Sequence, residues 1–189
     1  MLRIILLSSL LFCFALSSQA QTDSTRTGGM ASNPELTPQA GPVLGAEELA
    51  RQPWFYSIDE AMRQPEQVYK LSLEDRKLKR FPREITRFPN LQVLNLSNNK
   101  LKDLPPYIAE LPNLQILILH HNKLRSLPEE MKQLKHLEQL YLGWNKFMEV
   151  PAWVGGLSRL RRLDVAFNAM TLYEVDLLRA RLPRCEVTH

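Results

Sequence analysis

The side chains of this sequence that could bind a metal ion are few and scattered. His120 and His121 are adjacent, and Cys185 with His189 gives a loose CxxxH pattern. A structural zinc site needs four ligands at defined spacings, and neither pair is accompanied by a third and a fourth ligand. We therefore interpret the histidines as solvated or partner-contacting side chains, and we predict no metal ion and no cofactor.

Patterns that carry catalysis are also missing from the sequence. There is no Gly-rich phosphate loop, no GxSxG segment and no HExxH segment. The acidic pairs Glu74–Asp75 and Glu129–Glu130 are typical of a solvated surface, and such pairs are not by themselves a sign of acid–base chemistry. The sequence predicts that the chain is not an enzyme.

One residue type recurs at a strict interval of 23 residues, and it is asparagine. The positions are Asn99, Asn122, Asn145 and Asn168. Alignment on them places repeat starts at residues 68, 91, 114, 137 and 160. In each repeat two apolar columns lie two residues apart, which is strand periodicity, and in four repeats a proline precedes a segment with helical spacing. Each repeat is thus a strand, a turn and a short return, and stacked repeats bury their apolar columns together.

The repeated pattern LxxLxLxxNxLxxLPxxIxxLxx resembles the leucine-rich repeat in its 23-residue form, over Val68 to about Arg184. The resemblance implies an α/β solenoid, a curved array with a concave parallel β-sheet and short helical or 3₁₀ returns on the convex side. The asparagine would lie at the turn from the strand into the interior. A buried amide must satisfy its donors and its acceptor, so we predict a structural asparagine ladder. Repeat one has Arg76 in this column, as expected for an outer repeat.

Strand residues between the leucine columns should point out of the concave face. The apolar and aromatic members of this set, with polar residues around them, predict a binding surface for a protein or peptide. The predicted partner-binding residues are Val93, Asn95, Ile116, Ile118, His120, His121, Tyr141, Trp144, Arg162, Asp164 and Phe167. The alternative is that isoleucine and valine simply favour strands, while Trp144 and Phe167 fold back over the turn.

The ends of the chain differ from the repeats in composition. Residues 1–20 have the positive start, apolar run and small-residue end of a cleaved secretory signal, so we expect an exported, bacterial protein that is secreted or periplasmic and has no stable membrane insertion after cleavage. Residues 21–51 are rich in Thr, Ser, Gly and Pro and predict a flexible tether, with one candidate helical turn at GAEELA. A cleaved signal would remove Cys13 and leave Cys185 without a disulfide partner, either buried or paired between chains.

Three segments follow the tether. Residues 52–67 form an N-terminal capping region, where Ser57 and Glu60 match a capping box and predict a short helix from Ile58 to about Arg63. Residues 68–184 form the repeat domain, and its last return, TLYEVDLLRARLP, predicts a closing helix. Residues 185–189 form a C-terminal cap or tail, in which Cys185 and Val187 would face inward on a final strand.

Charge adds little to the functional prediction. The formal net charge of +4 is too small to indicate nucleic-acid binding. A row of lysines one residue past the asparagine column favours either an acidic partner or a solvated edge. The sequence thus predicts a non-enzymatic, exported interaction module. The alternatives are a structural envelope or surface spacer without a dedicated ligand, or an intracellular signalling scaffold if residues 1–20 are not a signal.

Overall fold

The computed structural model of this 189-residue chain describes residues 40–189. The predicted signal peptide, residues 1–20, and the tether residues 21–39 lie outside the described residues. In the described part, seven strands form one parallel sheet in chain order. The strands are β1 Trp54–Phe55, β2 Lys70–Ser72, β3 Val93–Asn95, β4 Ile116–Ile118, β5 Gln139–Tyr141, β6 Arg162–Asp164 and β7 Glu186–Thr188.

The register of the sheet follows the 23-residue period. Leu71, Leu94, Leu117 and Leu140 are direct partners across β2 to β5, and each is 0% exposed. A side chain on one face of such a sheet is buried by the same column of its neighbours, so the whole column is buried only when the repeats stack. The predicted solenoid, with its parallel sheet, is confirmed.

The returns between strands are short and mostly 3₁₀-helical, as predicted. Pro82, Pro105, Pro128 and Pro151 each precede a five-residue 3₁₀ helix. The five 3₁₀ helices of the described residues are Pro65–Gln67, Arg83–Arg87, Pro106–Glu110, Glu129–Gln133 and Ala152–Gly156. An apolar residue in the middle of each of the last four is buried, which closes the core on the side opposite the sheet.

The four asparagines make the same set of hydrogen bonds in each repeat. Asn122 is 8% exposed; its Oδ1 accepts from the N–H of Leu101, and its Nδ2 donates to the carbonyls of Leu96 and Leu119. Leu96 and Leu101 belong to the preceding repeat, so the side chain joins two repeats while satisfying its own turn. The equivalent bonds are made by Asn99, Asn145 and Asn168.

Both ends of the array are closed by helices. At the N-terminal end is α2, Ile58–Ala61, two residues shorter than predicted; the Ser57 hydroxyl accepts from the N–H of Glu60, and the Glu60 carboxylate accepts from the N–H of Tyr56. Arg76 donates to the carbonyl of Tyr56 at 2.6 Å, so the outer repeat contacts this cap. At the C-terminal end is α3, Leu172–Arg181, followed by β7.

The structure differs from the prediction of a flexible tether at residues 40–51. Gly41–Arg51, which we call the strap, packs against the sheet. The helical turn predicted at GAEELA is present in the strap as α1, Ala46–Arg51. Leu44 and Leu49 are 7% and 5% exposed and pack on Val93. Their burial outweighs the loop-like composition of the segment, since each buried leucine contributes about 2 kcal/mol.

The strap is followed by β1, which pairs with β2 and makes the sheet seven strands wide, where five repeats and a final strand were expected. Six spacings of about 4.8 Å give a width of about 29 Å. None of the helices among residues 40–189 is long and apolar enough to span a membrane.

Candidate functional site

The concave face is the side of the sheet opposite the buried leucine columns. Two rows of side chains cross it, because each strand contributes alternate residues to this face. The first row is Lys70, Val93, Ile116, Gln139 and Arg162. The second row is Ser72, Asn95, Ile118, Tyr141 and Asp164. Seven of the eleven predicted site residues lie in these two rows, and the strap and local hydrogen bonds divide them. The other four follow the strands, and they are His120, His121, Trp144 and Phe167.

The strap covers the N-terminal part of this face through four amide side chains. Asn90 Oδ1 accepts from the N–H of Gly41, and Asn113 donates to the carbonyl of Gly41. The bonds made by Gln92 and Gln115 hold the next residues of the strap, at Pro42 and Leu44. Val93, a predicted partner contact, is only 5% exposed and lies beneath the strap.

Beside the strap lies an open trough with a volume of about 490 Å³. One wall is α1, and the floor includes Ile116, Ile118 and Tyr141, all three half-buried. The Tyr141 hydroxyl donates to Oε1 of Gln139 at 2.7 Å, which gives both oxygens a partner. The trough thus presents an apolar floor with few unpaired polar groups on it.

Asn95 lies outside the trough and is committed to local bonds. Its Oδ1 accepts from the N–H and the hydroxyl of Ser97, and its Nδ2 donates to Glu74 at 3.2 Å. It therefore orders the first two repeats, and no lining contact of the trough involves it.

Polar predicted residues form the far end of the concave face. His120 Nε2 lies 2.9 Å from Asp164 Oδ2, which is an ion-pair distance without hydrogen-bond geometry. Asp164 Oδ1 accepts from the Thr188 hydroxyl, and a Cβ at Gly143 would lie 2.9 Å from Asp164 Oδ2. Gly143 thus leaves the space that the carboxylate occupies. Arg162 forms an ion pair with Glu186. Residues 40–189 contain no group of three or more potential metal ligands.

An aromatic stack runs along the rim of the face where the strands end. The rings of His121 and Trp144 are 5.0 Å apart at 14°, and those of Trp144 and Phe167 are 4.0 Å apart at 19°. Trp144 and Phe167 remain 48% and 66% exposed. All three residues have positive φ, as do Asp75 and Asn98 at the same position of the first two repeats. The turn imposes a left-handed backbone, which Asp, Asn and His adopt more readily than other residues, and the last two repeats place Trp144 and Phe167 there instead.

Lys70 is a member of the trough that the sequence analysis did not select. It is 6% exposed, its Nζ donates to the carbonyl of Ala50 at 3.0 Å, and it lies 5.3 Å from the centre of the Trp54 ring. Burial lowers the pKa of this ammonium group. Alternation along β2 places Lys70 on the concave face, but the burial that distinguishes it depends on the strap.

A second, basic groove lies outside the concave face, around Phe81 and Tyr107. Its volume is about 650 Å³, and Asp103 is the one carboxylate in its lining. The cations in the lining are Lys79, Arg80, Lys100, Lys102 and Lys123. All four lysines of the predicted row are exposed, and two of them, Lys100 and Lys123, line this groove.

Comparison with known proteins identifies relatives of this array. The family model described as a leucine-rich repeat region matches residues 67–179. A leucine-rich repeat protein of Leptospira interrogans is 35% identical with a TM-score of 0.63, over 73% of this chain and 35% of that chain. The chain therefore matches about a third of the length of that structure. A comparison with curated proteins gives no match.

Plant structures give further matches with lower TM-scores. The BIR3–SERK2 complex of Arabidopsis thaliana is 36% identical, with a TM-score of 0.49, over 54% of this chain and 57% of that chain. Another match is the ectodomain of the Arabidopsis thaliana receptor kinase GASSHO1/SCHENGEN3 in complex with CASPARIAN STRIP INTEGRITY FACTOR 2. It is 33% identical, with a TM-score of 0.48, over 58% of this chain and 13% of that chain. The family match over residues 67–179, in a chain whose repeats stack in register, shows that this protein belongs to the leucine-rich repeat family.

Proposed function

We propose that this chain is a non-enzymatic, exported interaction module that holds a protein or peptide in the trough of its concave face. The observation that carries the proposal is the apolar floor formed by Ile116, Ile118 and Tyr141, which stays half-buried and open to solvent, although Ile116 packs on the strap at its edge. Apolar patches with aromatic members and a polar border are typical of binding sites. Export rests on the sequence of residues 1–20.

The aromatic stack supports a partner larger than the trough itself. Trp144 and Phe167 expose large apolar surfaces at strained backbone positions, and such strain is concentrated at functional sites. Tryptophan is also enriched among residues that dominate interface energies. A partner that covers both the trough and the stack would span much of the sheet width of about 29 Å, which brings the contact toward the size of a stable interface.

Capture from the exported fraction of the source cells tests the proposal. The mature protein would be compared with Ile118→Asp, which places a charge on the trough floor. Ser72→Asp is the matched control, because it adds the same charge in the same row but outside the trough. We expect a partner that is retained by the wild type and the control and lost by Ile118→Asp.

Two other results would change the functional assignment. If all three proteins recover the same material, or none, the spacer function is favoured over partner binding. If the chain is found inside cells with residues 1–20 intact, the scaffold function is favoured over an exported module. The exported form is expected to begin at Gln21.

A further inference from the structure

Lys70 is a buried cation for which residues 40–189 supply no carboxylate. The ion pairs among these residues do not include it, and its Nζ makes one hydrogen bond, to the carbonyl of Ala50. An ammonium group has three N–H donors. The Trp54 ring lies 5.3 Å away and interacts with the cation, but a ring face does not replace an anion.

Burying a charge of this kind is costly unless it is paired. Lysine is almost never fully buried without a partner, because its charge loses hydration on burial. Lys70 also has a structural role, because its bond to Ala50 holds the C-terminal end of α1. That role uses one donor and leaves the charge itself uncompensated. A negatively charged group beside Nζ would complete this site.

The charge lies at one end of the apolar trough. Lys70, Val93, Ile116 and Gln139 are consecutive partners across four neighbouring strands. Three strand spacings put Lys70 about 14 Å from Gln139. Leu49 and Ala50 of α1 line the trough at the Lys70 end. Its volume of about 490 Å³ lies within the range of small-molecule sites, about 300–1,000 Å³.

The polar side chain beside the floor at the Lys70 end is already occupied, because Gln115 Nε2 donates to the carbonyl of Leu44 and to Oε1 of Gln92. His120, Glu138 and Gln139 line the opposite end of the trough. A peptide backbone buried at the Lys70 end would leave its own N–H and C=O groups without partners, which is unfavourable. A hydrocarbon chain carries no such groups. The Lys70 end of the trough therefore favours an apolar chain with one acidic group.

We propose that the Lys70 end of the trough binds a small apolar monocarboxylate, with its carboxylate on Lys70 Nζ and its hydrocarbon part on Ile116. This goes beyond the protein or peptide partner proposed above, and it uses only the part of the concave face next to α1. The carboxylate would accept hydrogen bonds from the free N–H groups of the ammonium, and such bonds are charge-assisted and lie away from water. The hydrocarbon part would remove the exposed apolar surface of Ile116 from water.

Octanoate binding to the mature protein, measured by calorimetry and by tryptophan fluorescence, tests this inference. Lys70→Met removes the charge and keeps the length of the side chain, and Lys100→Met is the matched control on an exposed lysine. We expect Lys70→Met to weaken octanoate binding by about tenfold or more, as for loss of one charge-assisted bond, with no change for Lys100→Met. Octanol, which lacks the charge, should bind the wild type and Lys70→Met alike.

Equal octanoate affinity for the wild type and Lys70→Met would overturn the inference, as would no binding to the wild type at millimolar concentrations. If Lys70→Met does not fold, thermal unfolding of the wild type decides: octanoate must raise Tm more than octanol at equal concentration, and an equal shift contradicts the carboxylate site. The two proposals fail separately, because partner capture depends on Ile118 and octanoate binding depends on Lys70.

Discussion

The backbone N–H of Leu44 donates a hydrogen bond to Oε1 of Gln92 over 2.9 Å, and this bond joins the strap to the second repeat. Gln92 is 0% exposed, and its Nε2 donates to the carbonyl of Pro42 at 3.1 Å. One amide side chain therefore satisfies both a donor and an acceptor of the strap backbone. The strap is bound to the array by side chains, without adding a strand, and it forms the wall of the trough.

Replacement of Gln92 by leucine should release the strap. The substitution leaves the Leu44 N–H and the Pro42 carbonyl unpaired, and an unpaired buried group costs about 1–3 kcal/mol. We expect a loss of about 2 kcal/mol in the free energy of unfolding and faster hydrogen exchange at the Leu49 amide, which bonds to Gly45 within the strap.

Gln139→Leu is the control, since Gln139 lies in the first row of the concave face and its side chain bonds only to Tyr141. It should leave exchange in Gly41–Arg51 unchanged. Unaltered protection of Leu49 in Gln92→Leu would mean that the buried leucines alone hold the strap.

The array could be predicted from the sequence because its information is repeated. A leucine column can be recognised when five copies carry it. The asparagine column can be recognised because few other residues can replace a buried amide in a leucine-rich turn. The parallel sheet, the 3₁₀ returns after proline and the Ser57–Glu60 capping box all follow from such local signals.

The strap could not be predicted in this way because it occurs once and has the composition of a linker. Its docking depends on contacts between residues 41–44 and residues 90–115, which no local pattern reveals. A faint signal exists in retrospect: Asn90 and Gln92 recur as Asn113 and Gln115 at the 23-residue period, and the next repeat has His136 and Glu138. Amides shared by only two repeats mark the place where the strap lies.

Asn122→Ala should destabilise the array more than removal of any exposed polar side chain. It leaves the N–H of Leu101 without its partner in a buried turn and removes one of the two side-chain hydrogen bonds that the carbonyl of Leu96 accepts. We expect a loss of about 2–4 kcal/mol in the free energy of unfolding, measured by urea denaturation. Lys123→Ala, at the exposed next position, should change it by less than about 0.5 kcal/mol. Similar losses for the two variants would contradict the ladder as a source of stability.

Cys185 should react slowly with thiol reagents in the folded protein. Burial, and then the charge of Glu186, raise the pKa of this thiol to about 11. At pH 8 only about one thiol in a thousand is the reactive thiolate. Because the folded pKa lies above the ordinary value of 9.0, protonation favours the folded state below pH 9, and this contribution is lost as the pH rises toward about 11.

Maleimide labelling followed by mass spectrometry checks this, with urea-unfolded protein as the control. Labelling should be many times faster after unfolding, and disulfide-linked dimers should form slowly at pH 8. Equal labelling rates in the folded and unfolded protein would instead support a thiol that is free to pair between chains.

Phe167 should contribute little to the free energy of unfolding, although its ring belongs to the stack; the residue is 66% exposed. A left-handed backbone costs a residue other than glycine or asparagine about 1–2 kcal/mol, whereas a stacked aromatic pair contributes about 0.5–1.5 kcal/mol. The two terms nearly cancel, so Phe167→Asn should leave the free energy of unfolding within about 1 kcal/mol of the wild type. Tyr173→Asn, which removes an equally exposed ring outside the stack, is the matched control for binding.

Glycine and alanine at position 167 separate the two terms. Both remove the ring, but only alanine keeps the strain, so Phe167→Gly should be more stable than Phe167→Ala by about 1 kcal/mol. If Phe167→Ala is as stable as Phe167→Gly, the backbone at position 167 is not strained. The presence of a ring there then does not require a functional explanation. The ring is retained for binding if two results are found together. Phe167→Gly is more stable than Phe167→Ala, and both variants lose the captured partner while Tyr173→Asn keeps it. The fold alone would favour a residue suited to positive φ at this position.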